Sequence, residues 1–93
     1  MPTIVTLSKQ AKKDIQKMPK HVVRKLRGWV DAVMHEGIRA VRKVPGFHDE
    51  PLKGSRVGQR SIRLSRQYRA IYTEKEKGEY EFLKVVEVNA HEY

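Results

Sequence analysis

The side chains of this 93-residue chain that could do chemistry gather in its second half. Glu50 stands in the run Asp49-Glu50-Pro51-Leu52-Lys53, where a carboxylate ahead of a proline in a loop can serve as a base. Its plain alternative is an ordinary surface acid. His48 lies beside it as a rival acid/base group. Further on, a hairpin around Ser65 with a three-residue loop would pair Leu64 with Tyr68 and Arg63 with Arg69. Like charges directly opposite one another destabilise a sheet. Two arginines there suit an anion or a buried acid between them; alternatively, Arg69 is tied to a carboxylate in a solvated basic hairpin. The sequence closes on Asn89-Ala90-His91-Glu92-Tyr93, with an imidazole and a phenol two residues apart. Histidine is the usual general acid or base near neutral pH. A tyrosine at this place could stack on a nucleobase or set its hydroxyl near a phosphate. The bland reading of this pair is an exposed, idle chain end.

These candidates sit in a basic sequence. Twenty Lys and Arg stand against eleven Asp and Glu, a formal charge of +9, which attracts polyanions. From Pro51 to Tyr72 the chain carries Lys53, Arg56, Arg60, Arg63, Arg66 and Arg69 and no acid, while six of the eleven acids follow this block. The arginines favour phosphate contacts, because a guanidinium fork matches phosphate better than an ammonium does. The alternatives are a solvated surface or an acidic protein partner. With no cysteine, a disulfide framework or thiolate metal site is excluded, and no two histidines have metal-ligand spacing. His21 and His35 suit helix ends or simple exposure. No glycine-rich phosphate loop, apolar run of membrane-spanning length or signal peptide is visible, so a cytoplasmic protein is expected.

The elements that must position these groups fit a single domain over residues 1–93. Thr3 to Leu7 reads as a strand, and Ser8 as the N-cap of a helix to about Lys17. Ala11, Ile15 and Met18 would form its buried stripe. A second helix should run from Pro19 or Lys20 to Glu36, burying Val22, Leu26, Trp29, Val30 and Val33, with Gly37 as its C-terminal cap. The short link at Pro19 predicts an antiparallel helical hairpin. Ile38 to Gly58 reads as a loop with at most a short helical turn before Pro45. Three strands follow, Gln59–Leu64, Tyr68–Thr73 and Tyr80–Val88, with turns at 65–67 and 74–79. The fold class is α+β, in the order β-α-α-β-β-β, with the helices on one face of a largely antiparallel sheet and the other face open.

Glu50-Pro51-Leu52-Lys53, Ser61-Ile62-Arg63-Leu64, Tyr68-Arg69-Ala70-Ile71-Tyr72 and His91-Glu92-Tyr93, in this order and spacing, resemble the RelE/ParE toxin superfamily, closest to its YoeB-like and HigB-like branch. The resemblance runs from Thr3 to Tyr93. It implies the toxin of a type II toxin–antitoxin module, an endoribonuclease that enters the ribosomal A site and cuts mRNA there. Attack of a ribose 2′-hydroxyl on the adjacent phosphate needs no metal or other cofactor. It further implies Glu50 as base, Arg63 as the phosphate clamp, His91 as acid and Tyr93 as the aromatic that orients RNA. Lys53, Arg56, Arg60, Arg66 and Arg69 would contact RNA, although an arginine at the position of Arg69 is widespread in the superfamily and can be structural. In YoeB-like chains the terminal His and Tyr are adjacent, whereas Glu92 separates them here. The implied partners are mRNA, the ribosome and an acidic, partly disordered antitoxin covering apolar surface near the hairpin or a sheet edge. The competing reading is a ParE-like toxin that binds DNA gyrase and cleaves nothing. A third is a basic RNA-binding module without activity, against which stands the lack of the surface aromatics of an RNA-recognition sheet.

Overall fold

The computed structural model describes residues 3–78 and 80–90. The elements are β1 (Thr3–Leu7), α1 (Lys9–Gln16), α2 (Lys20–Glu36), α3 (Ile38–Arg42), β2 (Glu50–Pro51), β3 (Gln59–Arg63), β4 (Tyr68–Lys77) and β5 (Tyr80–Ala90). One five-stranded sheet runs in the order β1-β5-β4-β3-β2. β1 is parallel to β5, and the remaining pairs are antiparallel.

The helix starts and stops follow local chemistry. The Ser8 hydroxyl accepts from the Ala11 N–H at 3.0 Å, satisfying one of the donors that a helix start leaves free. α2 ends where Gly37, at φ +84°, turns the chain and donates its N–H to Val33 at 2.9 Å. The buried stripe of α2 is Val22, Leu26, Trp29 and Val33, which packs with Ala11, Ile38 and Val41 against Ile62, Leu64, Ala70, Tyr72, Leu83, Val85 and Val88 of the sheet side. Truncating a fully buried aromatic such as Trp29 to alanine would cost about 3–5 kcal/mol.

A β-bulge sets the faces of the long hairpin. Ile71 pairs with Glu87 but Tyr72 pairs with Val85, so Val86 is the extra residue on β5. Because of it, Val85 and Val88, three apart, both reach the core, while Glu87 and Asn89 share strand parity on the opposite face. The start of α1 is locked at this bulge: Ser8 donates its N–H to the Val85 carbonyl at 2.9 Å and its hydroxyl to the Val86 carbonyl at 2.6 Å. Past the end of β1, the Asp14 carboxylate accepts from the Val88 N–H at 2.9 Å and occupies a donor of β5 that β1 does not reach.

The segment 38–58 carries the short helical turn expected before Pro45, and beyond it more order than the expected loop. It holds α3, single 3₁₀ turns at Pro45–Phe47 and Gly54–Arg56, and the two-residue strand β2. Its glycines and prolines mark the joints between these short pieces. The hairpin turn is also tighter than the expected 74–79: Lys77 pairs with Tyr80, and Gly78 takes φ +61°. Glu74 to Lys77 read as a turn because all four are charged, but this end of β4 is exposed and strand pairing tolerates it. In the acidic tail, Glu81 is buried, accepting from the Thr3 hydroxyl at 3.1 Å and from the Ile38 N–H at 3.4 Å. It joins β1, β5 and the start of α3.

Candidate functional site

Strand alternation decides which side chains leave the core. Ile62, Ala70 and Tyr72 face the helices, so Ser61, Arg63, Arg69 and Ile71 belong to the opposite face. The expected register holds: Arg63 lies opposite Arg69, and Leu64 donates its N–H to the Tyr68 carbonyl at 2.9 Å. No acid among the described residues is buried between the two arginines. Arg69 instead donates its Nε–H to the Asn89 side-chain carbonyl at 3.2 Å, so its anchor is an amide rather than a carboxylate. Arg63 is exposed, and its side chain makes no hydrogen bond or ion pair with another described residue.

β2 brings the acid to this face. Glu50 pairs with Ser61 across the edge of the sheet, and its exposed carboxylate shares one cleft with His48, Arg63, Arg66 and Arg69. His48 Nε2 lies 3.9 Å from Glu50 Oε2. His48 is the one described non-glycine residue with positive φ, at +48°, a conformation that costs energy and must be held by its surroundings. Its N–H donates to the Pro45 carbonyl at 3.1 Å, and the Lys25 ammonium sits over the Phe47 ring at 4.8 Å, fastening this turn to α2.

What holds the acid loop is its neighbour. The Asp49 side chain is only 1% exposed. Arg60 donates its Nε–H to one carboxylate oxygen at 2.6 Å, and the Tyr72 hydroxyl donates to the other at 2.5 Å. Arg42 closes the cluster, donating to Tyr72 Oη at 3.3 Å and to Glu74 at 2.9 Å. Burial, and then the bond to the Asp49 carboxylate, push the Tyr72 phenol well above its ordinary pKa. Its ring packs against Trp29 in a tilted pair, with centroids 4.9 Å apart and 51° between the planes. Asp49 is thus drawn inward while Glu50, one residue on, faces out. The dipeptide gives no sign of this division in the sequence, and Asp49 was not among the residues the sequence singled out.

The basic block is also divided. Arg60 is committed to Asp49, and Arg56 forms an ion pair with Glu87 and donates to Gln59 at 2.9 Å. Since Glu87 is the partner of Ile71, Arg56 crosses the open face to reach it. Both were expected to contact phosphates; in the folded chain their guanidinium groups hold the sheet and its loops. Lys53 is exposed. His91 and Tyr93 lie outside the described residues. The last described residue, Ala90, pairs with Tyr68, which lines the same cleft.

No group of three His, Cys, Asp or Glu among the described residues could hold a metal ion. No protein-family model and no curated protein matches the chain. Solved structures do. The chain superposes on the E. coli DinJ–YafQ toxin–antitoxin complex with a TM-score of 0.75 at 20% identity, covering 98% of this chain and 94% of the other. For the YoeB/ParE toxin from Agrobacterium tumefaciens the TM-score is 0.68 at 21% identity, covering 99% and 100%. For the archaeal RelE–RelB complex from Pyrococcus horikoshii it is 0.72 at 26% identity, covering 97% and 96%. The architecture is the RelE-like fold of the RelE/ParE toxin superfamily. Among its structural relatives are YoeB, YafQ and RelE, in line with the YoeB-like resemblance of the sequence.

Proposed function

We propose that this chain is the toxin of a type II toxin–antitoxin pair and acts as a ribosome-dependent mRNA endonuclease. The observation that carries the reading is the cleft itself: a carboxylate, an imidazole and an arginine whose side chain has no partner among the described residues share one open pocket on a RelE-like sheet. Cleavage by 2′-hydroxyl attack needs three services from the protein. Glu50, with His48 as a neighbouring candidate 3.9 Å away, takes the proton from the 2′-hydroxyl. Arg63 faces the charge that grows on the phosphate as the new P–O bond forms. The departing 5′-oxygen takes its proton from an acid, the role proposed for His91, with Tyr93 orienting the RNA. Arg66 and Arg69 complete the basic wall, and Lys53 supplies a further phosphate contact. The products are a 2′,3′-cyclic phosphate and a 5′-hydroxyl end, so atoms balance without a metal or water in the first step.

The partners proposed are mRNA in the ribosomal A site, in the cytoplasm, and an acidic antitoxin. An apolar groove supports the second: Val5, Leu7, Ile15, Val23, Leu26 and Val30 line it over the edge strand β1. The solved relatives include toxin–antitoxin complexes. The experiment is translation in vitro with primer extension on the mRNA. Ribosome-dependent cuts are expected; gyrase inhibition with intact mRNA would favour a ParE-like binder instead.

A further inference from the structure

Positive φ is filled by glycine everywhere in the described chain except at His48. Gly37, Gly54, Gly58 and Gly78 take four such positions, and His48, at φ +48° and ψ +50°, takes the fifth. Left-handed backbone crowds a Cβ, which glycine lacks. The flanks explain why the turn is kept. On one side Phe47 packs against the core, with the Lys25 ammonium over its ring. On the other, Asp49 is buried against Arg60 and Tyr72. With both neighbours fixed, the residue between them must take this conformation. They do not explain why it is a histidine. The imidazole is 55% exposed and makes no hydrogen bond with a described residue; Glu50 Oε2 lies 3.9 Å from its Nε2. Glycine would meet the same turn without strain, so the imidazole stays at a conformational cost that no contact in the fold offsets.

The geometry of the reaction fixes the side on which this imidazole works. In-line displacement puts the attacking and leaving oxygens on opposite sides of phosphorus. Glu50 is the base of the attacking side, so His48, 3.9 Å from it, belongs to that side and not to the departing 5′-oxygen. We propose that His48 is the proton acceptor behind Glu50: the carboxylate takes the proton from the 2′-hydroxyl, and the imidazole takes it from the carboxylate. This role for His48 rests on the nuclease reading and adds a residue to it. As the 2′-oxygen bonds to phosphorus, its O–H bond breaks. The proton moves to a Glu50 oxygen and then to the Nε2 lone pair of neutral His48. Glu50 is left as a carboxylate beside an imidazolium, which later returns the proton to water. An imidazole is intrinsically a stronger base than a carboxylate by about two pKa units, so the proton passes to the stronger base. Glu50 is the one carboxylate among the residues lining the cleft, whose other charged members are Arg63, Arg66 and Arg69, with Lys25 behind the turn. It is therefore the counter-ion of the imidazolium that forms. The gap of 3.9 Å exceeds the about 2.6–3.2 Å of proton transfer, but both side chains are more than half exposed, and such bonds commonly tighten when substrate binds.

Single-turnover cleavage on programmed ribosomes tests this with His48→Gly. Glycine accepts the left-handed backbone, so the variant should melt at or above the temperature of the parent. Its cleavage should fall by about 100-fold, the low end of what a positioned proton-transfer group contributes. Free imidazole should restore cleavage. At equal concentration of free base, 4-methylimidazole, the stronger base, should restore more. His48→Asn keeps the backbone as well, asparagine being at home in this region, and reads the same loss should His48→Gly melt low. Glu50→Gln should be slow and gain nothing from added imidazole, because the imidazole acts through the carboxylate. Cleavage at the parental rate by the folded His48 variants would overturn the proposal and leave Glu50 as the lone base. So would a slow His48→Gly variant that imidazole does not restore, or restores without regard to base strength, since that is the mark of a structural role. A parent protein that makes no ribosome-dependent cuts would overturn the nuclease reading, and the role of His48 with it.

Discussion

At the scale of residues, the cleft separates cations that build from a cation that waits. Arg60, Arg56 and Arg69 each have a partner inside the fold, whereas Arg63 has none among the described residues. An arginine acting on growing phosphate charge works mainly in the transition state. Arg63→Ala should therefore slow single-turnover cleavage on programmed ribosomes by about 100-fold and leave the melting temperature unchanged. Arg60→Ala should instead unsettle the fold, because it strips the buried Asp49 of a partner. Equal loss of stability in both variants would contradict this division. Tyr72 offers a pH test of the same cluster. Its phenol is held neutral in the fold, while in the unfolded chain it ionises near the ordinary value of about 10. Above that pH the unfolded state binds fewer protons than the native one, so stability falls as pH rises and is fully present below it. Alkaline titration followed by phenolate absorbance should show one tyrosine that ionises only as the fold is lost. Tyr72→Phe should remove that step; a smooth titration in the parent protein would argue against the buried bond.

At the scale of elements, the decisive piece is the shortest strand. β2 spans Glu50 and Pro51, held to β3 by two residue pairs, with the Leu52 N–H donating to the Gln59 carbonyl at 2.9 Å just beyond. So short a ladder cannot fix Glu50 alone; the anchor is Asp49 beneath it. Asp49→Ala leaves Arg60 and the Tyr72 hydroxyl without their acceptor and should cost about 3 kcal/mol, the low end for breaking a buried pair, because Arg60 is partly exposed. Urea unfolding reads that loss. Hydrogen exchange at Leu52 should rise in the variant well before the amides of α2 do. Unchanged protection at Leu52 would mean that the loop is held by something else. This is also where the sequence stops being legible. The long helices, Ser8, Gly37 and the Arg63–Arg69 register follow from periodicity, capping and turn length, all of which are local. β2 and the inward turn of Asp49 depend on partners eleven to twenty-three residues away, Arg60 and Tyr72. The bulge at Val86 is equally silent, since a single inserted residue leaves the apolar character of Val85–Val88 intact. Glu50 and Arg63 were legible as a pair because a motif order, not a periodicity, carried them.

At the scale of the molecule, the uneven charge gives salt two opposite effects. Residues 9–43, the helical segment, hold eleven Lys and Arg against three acids, a net of +8 of the total +9, on an ellipsoid whose principal extents are 36 × 29 × 28 Å. Lys9 and Lys13, Lys13 and Lys17, Lys20 and Arg24, and Arg39 and Lys43 are like-charged at a spacing of four. Each such pair within a helix costs a few tenths of a kcal/mol, about 1 kcal/mol together at low salt. The attractive pairs that salt would weaken count for less. Arg42–Glu74 and Arg56–Glu87 are partly exposed and of small net value. Arg60–Asp49 is shielded from solvent on the carboxylate side and so resists screening. Raising sodium chloride from about 0.02 to 0.3 M shortens the screening length well below the size of the protein. Relief of repulsion should then exceed the loss of attraction, and the melting temperature should rise, by less than the roughly 4–8 °C that a full 1 kcal/mol gives in a domain of this size. A variant with Gln at Lys9, Lys13, Lys17, Lys20 and Arg24 should start from a higher melting temperature and respond to salt less. Over the same range, affinity for RNA should fall. A melting temperature that drops with salt in the parent protein would show that the surface ion pairs, not the crowded helical cations, dominate the electrostatics of the fold.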